Sequence, residues 1–225
     1  MLLPQAYGCL FKWECVLDGL PDLNQRSWEA VAKDNGHEMP DEDDVMRAWG
    51  MRPERAIQQV FRWTSDWPET QKLGYEHYMT YMDMFREHQF EPKEGTAGWL
   101  QLLNEYGVPC CICSRNDRES TELALDKAGL RHLFQEMVTA EDGCETPGET
   151  YLVSSVKLKR PPQRCVVLED DPMGVVAAHD AQIKAIAIMG KHPGHALKNA
   201  DMRIGAIEDL SLISLREIFR DEAPQ

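Results

Sequence analysis

Basic residues are scarce in this sequence: 24 Lys and Arg stand against 38 Asp and Glu, for a formal net charge of −14. That balance disfavours nucleic acid and an anionic membrane surface as main partners, because neutralising phosphates requires clustered Lys and Arg. The acids are spread out, apart from Asp41–Asp44, and read as a solubilising surface. No apolar run approaches the roughly 18 residues that mark a membrane span. Met1–Ala6 holds neither a basic segment nor a long apolar one, so no signal peptide is read there. The expectation is a chain made without a presequence, or one whose targeting peptide lies outside this sequence. Internal repeats and low-complexity segments are also missing. The seven cysteines are odd in number. Cys110, Cys111 and Cys113 share one apolar run, which points to buried thiols in a reducing compartment rather than to disulfides or metal ligands.

What is present suits a globular protein: 225 residues, 43% of them hydrophobic, with six Trp. The length accommodates one α/β domain and a smaller insertion. Tyr7–Phe11 is a short apolar run and reads as a buried strand. From about Asp22 to Gln89 hydrophobes recur at three- and four-residue spacing, as in Val45, Trp49, Ala56, Ile57, Val60 and Phe61. Pro40, Pro53 and Pro68 punctuate that stretch, so it predicts three or four helices. Strands and helices then alternate. Strands are expected at Val108–Cys113, Met137–Thr139, Cys165–Leu168, Lys184–Ile188 and Met202–Ile204. Helices are expected around Trp99–Leu103, Arg118–Ala128, Glu149–Leu158, Met173–Ala181 and Leu215–Phe219. This order predicts an α/β fold, a doubly wound (Rossmannoid) parallel sheet with an inserted all-helical cap.

In such a sheet ligands bind beyond the carboxyl ends of the strands. The candidate positions are therefore Lys12-Trp13-Glu14, Ser114-Arg115-Asn116, Ala140–Glu145 and Glu169-Asp170-Asp171.

The residues at these positions carry a resemblance. Phe11-Lys-Trp-Glu-Cys-Val-Leu17 resembles the F-D-x-D-G-V-L motif of the haloacid dehalogenase superfamily. Val108-Pro-Cys-Cys-Ile-Cys-Ser114 resembles its second motif, a strand ending in Ser or Thr. Pro162–Ala178, with Glu169-Asp170-Asp171-Pro-Met-Gly174, resembles its fourth. The chain is similar to the subgroup with a helical cap after the first motif, as in β-phosphoglucomutase-like phosphatases. The resemblance implies a core domain over 1–19 and 92–225 and a cap over 20–91. Phe11-Lys-Trp-Glu14, Leu20-Pro-Asp-Leu23 and Lys191-His-Pro193 also resemble plant plastid members assigned to ribitylaminouracil phosphate hydrolysis in riboflavin biosynthesis. A chloroplast is the compartment this implies, with the cytoplasm as the alternative.

The family's mechanism uses an aspartate nucleophile, a second aspartate two residues on as acid and base, Mg²⁺, and a Ser or Thr with a Lys on the phosphoryl oxygens. The resemblance sets Lys12 in the nucleophile slot, Glu14 in the acid/base slot and Glu145 in the slot of the lysine. An ammonium at neutral pH has no free lone pair and repels a metal ion. Glu14 could still move protons, but it is longer by one methylene and displaced by about an ångström. No Lys lies between Lys127 and Lys157 to replace the missing clamp. Ser114 reads equally as a helix N-cap and as a phosphate ligand beside Arg115 and Asn116. Asp170 and Asp171 offer a weak metal site or loop capping. Lys12 and Glu145 carry exchanged charges, which predicts an ion pair between them; side-chain charges more than about 6 Å apart would rule it out.

Four other features receive plainer readings. Tyr75, Tyr78, Tyr81 and Met82 read as helix packing, and Arg52 as an exposed cation. Asp18 lies too far along the chain to substitute as nucleophile. His192 and His195 match no metal or catalytic spacing.

The expectation is a protein with a degenerate phosphatase site and no cofactor, acting as a binding or assembly subunit with a protein partner or a small phosphorylated ligand. The alternative is an active Mg²⁺-dependent phosphomonoesterase on a small sugar phosphate or on ribitylaminouracil phosphate.

Overall fold

The computed structural model describes residues 7–219. The first strand, β1 (Gly8–Lys12), is followed by the helices α1 (Leu20–Asn35), α2 (Glu42–Ala48), α3 (Pro53–Ala56) and α4 (Trp67–Glu87). A π-helical turn, Ile57–Phe61, continues α3 and ends at Arg62 in the left-handed region, φ 55°. These helices form one compact unit, Gly19–Gln89. Asp41 and Asp66 cap α2 and α4 by accepting the backbone N–H of the residue three positions on. Trp28, Val31, Val45, Ala48, Ala56, Ile57 and Leu73 make the unit's own core. His77 is buried there, its ring stacked on Trp28 at 3.5 Å between centroids and its Nε2 3.0 Å from Ser27 Oγ. Burial lowers the His77 pKa to about 3.

Tyr75 and Tyr78 do not pack as expected. They lie off the buried stripe of α4 formed by Thr70, Leu73, Gly74, His77 and Phe85, and are 64% and 53% exposed. Tyr81, by contrast, packs beside Phe85 and His77.

The second unit holds β1 and resumes at Phe90. It continues through α5 (Thr96–Glu105), β2 (Cys110–Cys113), α6 (Arg118–Lys127), β3 (Glu136–Val138), α7 (Pro147–Lys157), β4 (Cys165–Glu169), α8 (Pro172–Asp180), β5 (Lys184–Ile188), β6 (Met202–Ile204) and α9 (Leu212–Ile218). The six strands form one sheet in the order β3-β2-β1-β4-β5-β6, with every pairing parallel. Strands buried on both faces explain the unbroken apolar runs of β2 and β4. Cys110 and Cys113 stand at C-x-x-C spacing, but a separation of three residues in a strand turns them to opposite faces. Both are buried free thiols. No described helix is long and apolar enough to cross a membrane.

The chain winds outward in both directions from β1, so β1 and β4 flank the point where strand order reverses. Phe11 pairs with Leu168, which brings the carboxyl ends of β1 and β4 side by side.

Candidate functional site

Lys12 is the last residue of β1 rather than the first beyond it, and its backbone (φ −62°, ψ 135°) turns directly into the short 3₁₀ helix Trp13–Cys15. On the adjacent strand, Glu169 is likewise the last residue of β4 and is 1% exposed. Lys12 Nζ donates to Asp170 Oδ1 at 2.7 Å and to Glu169 Oε2 at 3.2 Å.

Glu169 is held from several directions. Its Oε2 also accepts the backbone N–H groups of Asp170 (2.8 Å) and Asp171 (2.9 Å), and its Oε1 accepts the hydroxyl of Tyr151 on α7. Its carboxylate lies over Gly174, where an added Cβ would fall 1.9 Å from Oε1. A carboxylate without water is tolerated only when its lone pairs are met by donors, as they are here.

The electrostatics follow from that packing. Burial works against the charge on Lys12, but the carboxylates of Glu169, Glu14 and Asp170 outweigh it and hold the ammonium's pKa above its ordinary value. Burial pushes the Glu169 carboxyl up, despite the opposing pull of Lys12 and the Tyr151 hydroxyl. The Tyr151 phenol is raised by its own burial and by Glu169. Burial also raises Asp171, but the Met173 N–H, Lys12, Lys191 and His192 overcome this and lower its pKa. Asp171 caps α8 through that N–H at 2.8 Å. His192 Nε2 lies 3.5 Å from Asp171 Oδ2.

The expected Lys12–Glu145 ion pair is overturned. Glu145 is exposed just before α7, and its backbone N–H is tied to Glu149 Oε2 at 2.7 Å. Lys12 instead meets the acids that the strand register sets beside it. Ser114 is not a helix N-cap: Asp117 caps α6 through the Ser120 N–H, 2.8 Å away. The Ser114 oxygen accepts the Asn116 N–H and the Thr121 hydroxyl, each at 3.1 Å. Asn116 is half-buried and Arg115 exposed on the same loop. Glu14 is half-buried in the turn after Lys12, while Asp18 and Arg52 are exposed. Lys157 is engaged by Asp142 at 2.6 Å and by the Met137 carbonyl.

Glu169, one of the strand-end positions expected from sequence, and Tyr151, which no sequence feature points to, complete the cluster.

A family model described as haloacid dehalogenase-like hydrolase matches residues 21–188. The 5-amino-6-(5-phospho-D-ribitylamino)uracil phosphatase, chloroplastic, of Arabidopsis thaliana is 28% identical over 215 residues, 94% of this chain. The chain spans 57% of that protein's length. The validoxylamine A 7′-phosphate phosphatase of Streptomyces hygroscopicus subsp. limoneus is 26% identical, with 86% of this chain and 90% of that protein aligned. Among solved structures, a β-phosphoglucomutase from Clostridium difficile superposes with a TM-score of 0.77 at 16% identity, covering 96% of this chain and 98% of that one.

Proposed function

This chain belongs to the haloacid dehalogenase-like hydrolases, and within that family we propose a phosphatase-like protein whose reaction centre is rebuilt around Lys12, leaving it catalytically inactive or impaired and acting as a binding or assembly subunit. The observation that carries this reading is the position of the Lys12 ammonium, 2.7 Å from Asp170 and 3.2 Å from Glu169. In this reading Lys12 stands where the family places its nucleophile. An ammonium whose pKa is held above its ordinary value has no lone pair with which to attack phosphorus.

The same donor set does not fit Mg²⁺, which takes oxygen ligands at about 2.1 Å. Asp170 is already neutralised by Lys12, and a second cation beside that ammonium would be repelled. No group of three metal-capable His, Cys, Asp or Glu side chains occurs among the described residues. Lys12 thus supplies, from within the chain, the positive charge that the carboxylates require.

The names of the relatives favour a phosphate ester as the ligand class and a plastid as the compartment. Phosphate release with Mg²⁺ from a panel of small phosphate esters, ribitylaminouracil phosphate included, tests the reading. The expected result is no release above that of the Glu14→Ala and Asp170→Ala controls. Turnover above those controls overturns it in favour of an active phosphomonoesterase.

A further inference from the structure

Cations are scarce in this chain, yet residues 47–62 hold four Arg and a single acid, Glu54, against a net charge of −14 for the whole. Glu54 is packed against α4, where a Cβ on Gly74 would lie 3.4 Å from its Cδ. The segment is thus locally basic within an acidic protein.

Two of these Arg line a cavity of about 580 Å³ that lies wholly within the helical unit. Its size is that of a small-molecule pocket. Arg47 enters the lining from α2 and Arg62 from the end of the π-helical turn. Asp44, Met51, Gln59 and Val60 complete it. Turns of the π type recur at functional sites.

The hydrogen-bond donors of this cavity are largely uncommitted. Arg62 is exposed, and no side chain among the described residues pairs with it. Arg47 Nη2 meets Asp44 Oδ1, which leaves the other N–H groups of that guanidinium without a partner among the described residues. Gln59 Oε1 accepts the Arg55 Nε–H at 2.9 Å, so the acceptor end of its amide is occupied and the N–H end remains to donate. Asp44, the one acid in the lining, is neutralised by Arg47, and the charge of Arg62 is left over. Met51 and Val60, both half-buried, supply an apolar wall.

Guanidinium forks bind carboxylate or phosphate oxygens in pairs, and two of them from separate helices beside an apolar wall suit a small organic anion. We propose that this cavity binds such an anion, its phosphate or carboxylate head held by Arg47, Arg62 and the Gln59 amide and its apolar body against Met51 and Val60. None of these residues belongs to the set around Lys12, and the inference does not rest on the reading of that set.

Isothermal titration calorimetry on the full chain with phenylphosphonate and with benzoate tests it, since neither probe contains a bond that a phosphatase cleaves. Probe concentrations up to about 10 mM cover the weak affinities of ligands this small. Saturable binding of at least one probe is expected, and the tighter of the two identifies the head group. Arg47→Gln and Arg62→Gln are each expected to weaken that binding at least about tenfold, the worth of one charge-assisted hydrogen bond. Arg26→Gln removes an exposed cation of α1 that is absent from the cavity and should leave binding unchanged. Circular dichroism checks that each variant is folded; if one of the two cavity variants is not, the other decides. No saturable binding of either probe, a smaller loss in a folded cavity variant, or an equal loss in Arg26→Gln overturns the proposal.

Discussion

Lys12 and Asp170 form a 2.7 Å ion pair across the carboxyl ends of β1 and β4, at the point where strand order reverses. The pair is mostly buried and continues through Glu169 to Tyr151. It neutralises acids that would otherwise repel one another inside the protein.

Removing the cation should therefore be costly. Lys12→Met leaves Glu169 and Asp170 without their counter-charge and is expected to lower stability by about 3 kcal/mol at pH 8. Burial already raises the Glu169 pKa, and loss of Lys12 raises it further. A folded-state pKa above the unfolded value contributes stability at low pH that is lost as pH rises through it. The variant's deficit should therefore shrink at pH 5, which urea unfolding at the two pH values would measure. An equal deficit at both would contradict this account of Glu169.

Gly174→Ala tests the packing beneath the pair. In an ordinary helix position the change would add stability, by up to about 1 kcal/mol. Here the new methyl overlaps the Glu169 carboxylate, and overpacking of this kind costs about 1–3 kcal/mol. Equilibrium unfolding should show a net loss; a variant as stable as the wild type would mean that Glu169 lies elsewhere.

The helical unit has its own titration. The folded-state pKa of His77, about 3, lies below the unfolded value near 6.5. The unfolded chain therefore takes up a proton first as pH falls, and stability present above about pH 6.5 is lost on acidification towards pH 3. The expected slope from this one group approaches about 1.4 kcal/mol per pH unit between pH 6 and pH 4. His77→Phe keeps a ring against Trp28 and removes the proton site, so its unfolding free energy should fall less steeply over that interval. Identical slopes would show that His77 is not the group responsible.

The alternation of strands and helices, and the long helical stretch after the first strand, were legible because each periodicity persists over several residues. The candidate positions Lys12, Glu14, Ser114, Asp170 and Asp171 were legible because each falls at or just past a strand end. The partner of Lys12 was not. Exchange of charge between two motifs suggested Glu145, but the register that pairs Phe11 with Leu168 sets Glu169 and Asp170 beside Lys12, and Glu145 stays in solvent. Pairing across a parallel sheet depends on register, which one-dimensional spacing does not encode. Tyr151 was hidden for a related reason: only the packing of α7 against the sheet brings its hydroxyl to Glu169.

The most direct test of the central claim is a calorimetric titration of Mg²⁺ into the wild type and into Lys12→Asp, up to about 10 mM, a range that spans weak carboxylate sites. The account predicts no binding by the wild type and measurable binding by Lys12→Asp, where a carboxylate replaces the ammonium beside Asp170. Saturable Mg²⁺ binding by the wild type that is abolished by Asp170→Asn would contradict it.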